Sequence, residues 1–427
     1  MIDGKLTPEE IALKDSWNDH GSDVTEATIL KSLMPWFTNA GNLLRSGFAL
    51  QSLDAMVPKY TDRESIVLLG SGPSVSEIVT SLPRDPKTLL VCGPTAVATL
   101  LTCGRSPDIV MVADSAPEQY TVIRDLDPDD IAFWRFVLPV TADPSWYSHG
   151  TILRPDQIYF YLPYLKDRDG TDNNFNKILK ALFPDIHLYI AQAGSVFNAM
   201  LGLSEALCKD SSSKRVYLGA DCCGWLTDPP RLRSYDAEKQ EDGTYRPILS
   251  PRQVNQNRIE SEGSMRIPSP GFDLQTNLVS LAYAIQMLYM VHIATRTQAT
   301  EHRYVMLTES LRLFQAAAPL EACPTCRAQD VGKTFNSELL SSPEWQYNVM
   351  LGLMRLSKDL RDRLDALEAE ATGAIRARLL EIGFHPEDAN WQLETLNLSR
   401  KYDVSLESIH GVARELALAF PKEENPL

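Results

Sequence analysis

At 427 residues, 44% of them apolar and 23% charged, the chain is long enough for a large core and two or three domains of an ordinary globular protein. Its net charge of −15 argues against broad binding to nucleic acid or to an anionic membrane, though a local basic cleft stays open. No apolar run approaches the roughly 18 residues that cross a bilayer, and the polar, acidic start MIDGKLTPEEIALKDSW is unlike a signal peptide, so a cytoplasmic protein is expected.

Residues 1–61 read as a helical N-terminal layer. Ile29, Leu30, Leu33, Met34 and Phe37 recur at helical spacing, followed by Leu43, Leu44, Phe48, Leu50 and Leu53. From about Asp62 the pattern changes to short apolar runs. Ile66–Leu69, Thr88–Cys92 and Ile109–Val112 read as buried strands, and helices are expected between them near Val75–Ser81 and over Thr95–Thr102. Further strands are expected at Phe136–Val140, Ile158–Tyr161, His187–Ala191 and Val216–Gly219. Strands alternating with helices predict an α/β fold, a Rossmann-like and mostly parallel sheet with flanking helices, over residues 62–300.

Within that domain, residues 222–271 are polar and rich in Pro and Gly with no clear period, and so read as one long loop. It holds Arg231, Arg233, Arg246, Arg252, Arg258 and Arg266. Arginines there could close over a pyrophosphate by bidentate contacts, or simply be solvated loop charges. Residues 274–295 return to a strongly apolar helix.

Residues 301–427 read as a helical C-terminal region. Val349, Leu353, Leu356, Leu360, Leu364, Leu367 and Ala371 mark a long amphipathic helix over 344–372, suited to a helical hairpin or a homo-oligomer contact. Seven cysteines, an odd number, suit reduced thiols. Cys323 and Cys326 have zinc-knuckle spacing without a second ligand pair, so two free thiols in a loop are expected.

The stretch IVLLGSGPSVSE (Ile66–Glu77) organises the chemistry. A strand that stops at Gly70-Ser71-Gly72 and enters a helix at Pro73-Ser74 presents free N–H groups at the positive end of a helix dipole, which suits a phosphate. The same turn can be a plain strand-to-helix connection. Val75 stands where a dinucleotide fingerprint wants its third glycine. Asp114 and Asp221 each follow a predicted strand and would face the same crevice, able to bind a ribose hydroxyl, orient a metal ion or act as a base. Gly194-Ser195 and Asn198 open a second helix that could hold another phosphate or a nucleoside, with a simple Ser195 cap as the alternative. Asp125-Leu-Asp127 has the D-x-D spacing of many metal-dependent glycosyltransferases, but fits better as an acidic helix start. No set of metal ligands is assigned.

In order, VLLGSGPSVSE, SPDIVMVAD, AGSVFNAMLGLSEAL, KRVYLGAD and GFDLQT resemble the Maf-type motility-associated-factor glycosyltransferase family. That family shares its domain with the archaeal 6-hydroxymethylpterin diphosphokinases (MptE-like). The resemblance covers roughly residues 62–290, and the G-x-G-P-S turn with P-D-x-x-x-x-x-D is its most specific part. It implies a Rossmann-like fold, and by motif match it assigns Gly70, Gly72, Pro73, Ser74, Asp114, Gly194, Ser195 and Asp221 to the site. Two positions depart from the family pattern: Gly93-Pro94 replaces an Asp-Ser pair, and Ala220 replaces a Gln.

The leading expectation is a glycosyltransferase moving a sugar from a CMP-, UDP- or GDP-linked donor to a hydroxyl acceptor. Phosphate would lie on Gly70–Ser74, and Asp114 and Asp221 would flank the sugar or its metal. The acceptor stays open among protein, glycan, nucleic-acid base and small molecule. The alternative is an ATP- and Mg²⁺-dependent pyrophosphokinase acting on a pterin-like alcohol. A third reading is a non-catalytic nucleotide-binding or scaffold protein. No membrane contact is expected.

Overall fold

The computed structural model describes residues 32–60, 62–75, 86–148, 150–165, 172–191, 195–207, 214–227, 236–248, 264–269, 271–297, 304–306, 312–317, 343–381, 395–399 and 406–419, with isolated positions 8, 11 and 79. Helix α1 covers residues 32–45. Strands β1 (Ser65–Leu69) and β2 (Thr88–Cys92) precede α2 (Pro94–Thr102), and β3 (Ile109–Met111) precedes α3 (Glu118–Arg124). Strands β4 (Arg135–Pro139) and β5 (Ile158–Tyr164), helix α4 (Asn174–Leu182), strand β6 (Tyr189–Ala191), helix α5 (Val196–Leu207) and strand β7 (Lys214–Leu218) follow.

The apolar runs form strands because each can be covered on both faces. In β1, Ile66, Val67, Leu68 and Leu69 are all buried, and burial of each aliphatic side chain stabilises by about 1.5–3 kcal/mol. The main sheet has eight strands in the order β13-β7-β1-β2-β3-β4-β5-β6, where β13 is Tyr304–Met306. Every pairing in it is parallel, with Ile66 beside Leu89 on one side and Arg215 on the other. The α/β, Rossmann-like parallel sheet expected from the sequence is the observed one.

Helix α1 is fastened to this sheet through its apolar side. Ala40 and Leu43 join the core, while the Trp36 and Phe37 rings lie 5.5 and 5.4 Å from that of Phe175. Asn39 is buried and donates through Nδ2 to Ser115 O at 3.3 Å and Thr141 O at 3.1 Å. One amide thereby ties together the loops that follow β3 and β4.

Residues 222–271 are more structured than a long loop. They contain β8 (Gly224–Leu226), β9 (Asp236–Lys239), β10 (Tyr245–Ile248) and β11 (Ser264–Ile267). β9 and β10 pair as an antiparallel hairpin, and β11, β12 (Asp273–Asn277) and β8 form a small antiparallel sheet. The helix expected from residue 274 therefore begins later, as α6 (Leu278–Thr297). Asn277 Oδ1 accepts the Ser280 N–H at 2.8 Å, an N-terminal cap that fixes the boundary. The helical C-terminal region likewise contributes β13 to the sheet before α7 (Arg312–Ala317).

The chain divides into two compact units, Met1–Ser357 and Lys358–Leu427. Helix α8 (Pro343–Glu381) runs across that division. Within the second unit, Ile375 and Leu379 pack with Leu398 and with Ile409, Val412, Ala413 and Leu416 of α9 (Leu406–Ala419). Among the described residues no helix is long and apolar enough to cross a membrane.

Candidate functional site

The strand order fixes where a ligand can enter. After β1 the chain lays β2 to β6 outward on one side, then returns to place β7 on the other side of β1. Ligands of open parallel sheets bind at the carboxyl ends of the strands where the order reverses. Here that point lies between the turn after β1, Gly70–Ser74, and the turn after β7, Gly219–Asp221.

These two turns clasp each other. Gly72 N–H donates to Gly219 O at 3.0 Å. The backbone N–H and the hydroxyl of Ser74 both donate to Asp221 Oδ2, at 3.1 and 2.9 Å. The glycines are needed for this close approach. A Cβ on Gly72 would stand 1.9 Å from Asp221 Oδ2, and one on Gly70 would stand 2.2 Å from Gly219 O. Gly219 itself has φ +72° and faces the Val75 side chain. Gly70, Pro73 and Ser74 are buried, whereas Ser71 and Gly72 keep partial exposure.

Asp221 is only 1% exposed. Burial pushes its carboxyl up to about 7, against the opposing pull of the two Ser74 donors and the Arg312 guanidinium. Its second oxygen, Oδ1, is buried and has no hydrogen-bond partner. Cys222, the next residue, holds φ at +49°, a left-handed conformation that is strained for a side chain with Cβ.

On the other side of β1 two helix N-termini meet. Gly93 caps α2 with extended backbone, and a Cβ there would lie 2.8 Å from Val196 Cγ1 at the start of α5. The departure Gly93-Pro94 thus has a structural cause: the two helices approach too closely for a side chain. Ser195 Oγ accepts the Asn198 N–H at 3.2 Å, so it does cap α5. Asn198 is buried at 1% exposure. Gly194 lies outside the described residues. Both helices direct their positive ends toward the same sheet edge.

Asp114 stands apart from this group. It is exposed, and it accepts from Ala116 N–H at 3.0 Å and from Gln119 Nε2 at 3.3 Å, bonds that fasten the turn before α3. Three strand spacings separate β3 from β7, about 14 Å at ~4.8 Å each. Asp114 and Asp221 therefore line one edge without sharing an ion or one reacting atom. Among the described residues there is no group of three or more His, Cys, Asp or Glu side chains placed to hold a metal.

The D-x-D segment is engaged elsewhere. Asp125 pairs with Arg124. Lys239 from the β9–β10 hairpin donates to Asp127 at 3.0 Å and to Asp130 at 2.7 Å, and Tyr245 Oη donates to Asp130 at 2.7 Å. Of the arginines expected in the loop, Arg266 lies 3.6 Å from Asp273 in an exposed pair. Arg231, Arg233, Arg252 and Arg258 fall outside the described residues, as does the Arg246 side chain.

Sequence reasoning missed Arg312. This residue begins α7, and its guanidinium carbon sits 4.3 Å from the Phe272 ring centre and 5.3 Å from that of Trp225. It adds positive potential at Asp221 and Cys223. No local signal marks it, since the Trp225 and Phe272 rings it covers lie 87 and 40 positions away.

No family model and no curated protein matches the chain. Among solved structures it is similar to the MAf glycosyltransferase from Magnetospirillum magneticum AMB-1, at 15% identity and a TM-score of 0.34 over 85% of this chain. The chain spans about half of that protein, 53% of its length. It is the Maf type of glycosyltransferase that the ordered motifs of this sequence resemble.

Proposed function

We propose that the chain is a transferase that binds a nucleotide-linked donor at the carboxyl edge of β1, and that it transfers a sugar to a hydroxyl acceptor. The observation that supports this most is the meeting of the α2 and α5 N-termini beside the strand-order reversal. Ser74 N–H already serves a carboxylate. The donor phosphate is therefore assigned to backbone N–H groups at the starts of α5 and α2, where Pro94 has none to give, and to Ser71, since Gly72 N–H is held by Gly219 O.

Glycosyl transfer breaks the bond from the anomeric carbon to the phosphate oxygen and forms one to the acceptor oxygen. The N–H groups would hold the negative charge that develops on the departing phosphate. Asp114, exposed at the same edge, would take the acceptor proton. Asp221 is too enclosed for that role, and its place is with the sugar. The pyrophosphokinase reading calls for aspartates paired on Mg²⁺, and strand spacing sets Asp114 and Asp221 about 14 Å apart, which favours the sugar-transfer reading.

The test is a thermal-denaturation panel. CMP, UDP or GDP is expected to raise the melting temperature without added metal. Stabilisation by ATP with Mg²⁺ alone would return the kinase reading to first place. No response to any nucleotide would leave a scaffold.

A further inference from the structure

A cavity of about 510 Å³ opens beside the carboxyl end of β5, between that strand, β6 and α4. Its size falls within the roughly 300–1,000 Å³ of small-molecule sites. Four strand spacings, about 19 Å at ~4.8 Å each, separate β5 from β1. The cavity is therefore a different place from the phosphate turns, although it opens at the same end of the sheet.

Strand register explains its aromatic wall. Leu162 pairs with Tyr189 and Tyr164 with Ala191, so Tyr164 and Tyr189 project from one face of the sheet. Their ring centres are 6.0 Å apart at 81°, a corner rather than a closed stack. Among the described residues no strand lies beyond β6, and Tyr189 stays 42% exposed. Asn176 gives both ends of its amide to Leu165, which fastens the first turn of α4 to the end of β5.

The α4 side is charged. Lys177 and Lys180, three positions apart on one side of the helix, both line the cavity. Lys180 Nζ donates to Pro184 O at 2.9 Å and to Ile186 O at 2.8 Å, and meets His187 Nδ1 at 2.9 Å. Lys177 Nζ reaches Asn174 Oδ1 at 3.4 Å. None of these partners carries a negative charge. Asp172 accepts the Tyr164 hydroxyl, and a carboxylate has lone pairs left for further donors.

Chemistry selects the guest. The two ammonium groups call for an anion, Asp172 calls for hydroxyl donors, and the open ring corner suits apolar C–H groups. An acidic sugar brings all three. A neutral sugar would leave the ammonium groups unanswered, and an inorganic anion would leave the rings bare and face Asp172.

We propose that this cavity binds an acidic sugar such as a hexuronate, and so anchors the far end of an acidic glycan whose reacting hydroxyl lies at the donor site. The anchoring role rests on the transfer reading above, while the binding does not.

Titration calorimetry with trigalacturonic acid, maltotriose and CMP tests this. Trigalacturonic acid is expected to bind, and maltotriose to bind about tenfold more weakly or less. Tyr189→Ala should weaken binding of the acidic trisaccharide about tenfold, equivalent to ~1.4 kcal/mol. Lys177→Gln should weaken it severalfold in dilute buffer and hardly at all in concentrated salt, which screens exposed charge. Both side chains are exposed, so both variants should fold, which circular dichroism checks.

Unaltered affinity in either variant would overturn the proposal. So would equal binding of the acidic and neutral trisaccharides, or no binding of trigalacturonic acid. If CMP displaces the trisaccharide and binds less well to Tyr189→Ala, the cavity is a second nucleotide site, and the proposal fails. If CMP, UDP and GDP do not bind while trigalacturonic acid does, the transfer reading falls and the sugar site stands.

Discussion

Asp221 is the residue on which the site turns, and its burial gives it a signature in solution. An exposed aspartate ionises near pH 3.9, whereas burial pushes this carboxyl up to about 7. Between those values the folded chain holds a proton that the unfolded chain has released. Its contribution to stability is thus fully present below about pH 4, falls as pH rises toward 7, and is constant above. Asp221→Asn keeps an oxygen to accept from Ser74 and cannot ionise. Denaturant unfolding of both proteins at pH 5 and pH 8 should show a smaller loss of stability across that interval in the variant than in the wild type. The same loss in both would mean that Asp221 does not titrate there. Gly72, with Asp221 Oδ2 where its Cβ would be, shows why the turn keeps its glycines even apart from any ligand.

At the scale of elements, local pattern revealed what local pattern determines. The apolar runs at Ile66–Leu69, Thr88–Cys92 and Phe136–Val140 match β1, β2 and β4 within a residue at each end, because strands buried on both faces need continuous apolar sequence. The segment 222–271 hid its strands, because β9 (DAEK) and β10 (YRPI) carry no run of apolar residues. They hold together by pairing and by the ties of Lys239 and Tyr245 to the loop after α3. The Ser74–Asp221 contact spans 147 positions and Arg312 stands 87 positions from the Trp225 ring it covers, so neither is visible to spacing rules. Resemblance pointed to Asp221 but not to the bond Ser74 makes with it. Lys239 gives the hairpin its test. Lys239→Met retains the stem and removes the charge that Asp127 and Asp130 share. Hydrogen exchange over Asp236–Ile248 should accelerate while the melting temperature of the whole chain scarcely moves, since exposed ion pairs contribute little to global stability. Unchanged exchange would show that strand pairing alone holds the hairpin.

For the whole molecule, the amphipathic stripe on α8 divides. Val349, Leu353 and Leu360 are buried, Leu364 and Ala371 are half-buried, and Leu367 is 52% exposed. Burial resumes at Ile375 and Leu379, which belong to the core of Lys358–Leu427. Among the described residues, seven make up that core. Arg376 also pairs with Glu415, but both groups are substantially exposed, so the apolar contacts dominate. Ile375 is fully buried at the centre, and Ile375→Ala should cost about 2–5 kcal/mol through lost burial and the cavity left behind. Because the second unit has its own core, that loss should fall on it alone. Scanning calorimetry of the variant is expected to show an early, small transition that wild type lacks, followed by a main transition at the wild-type temperature. Nucleotide-induced stabilisation of that main transition should persist, as every residue of the candidate site lies in Met1–Ser357. A single transition shifted as a whole would instead show that the two units unfold together, and would make the C-terminal helices part of what keeps the Asp221 clasp in place.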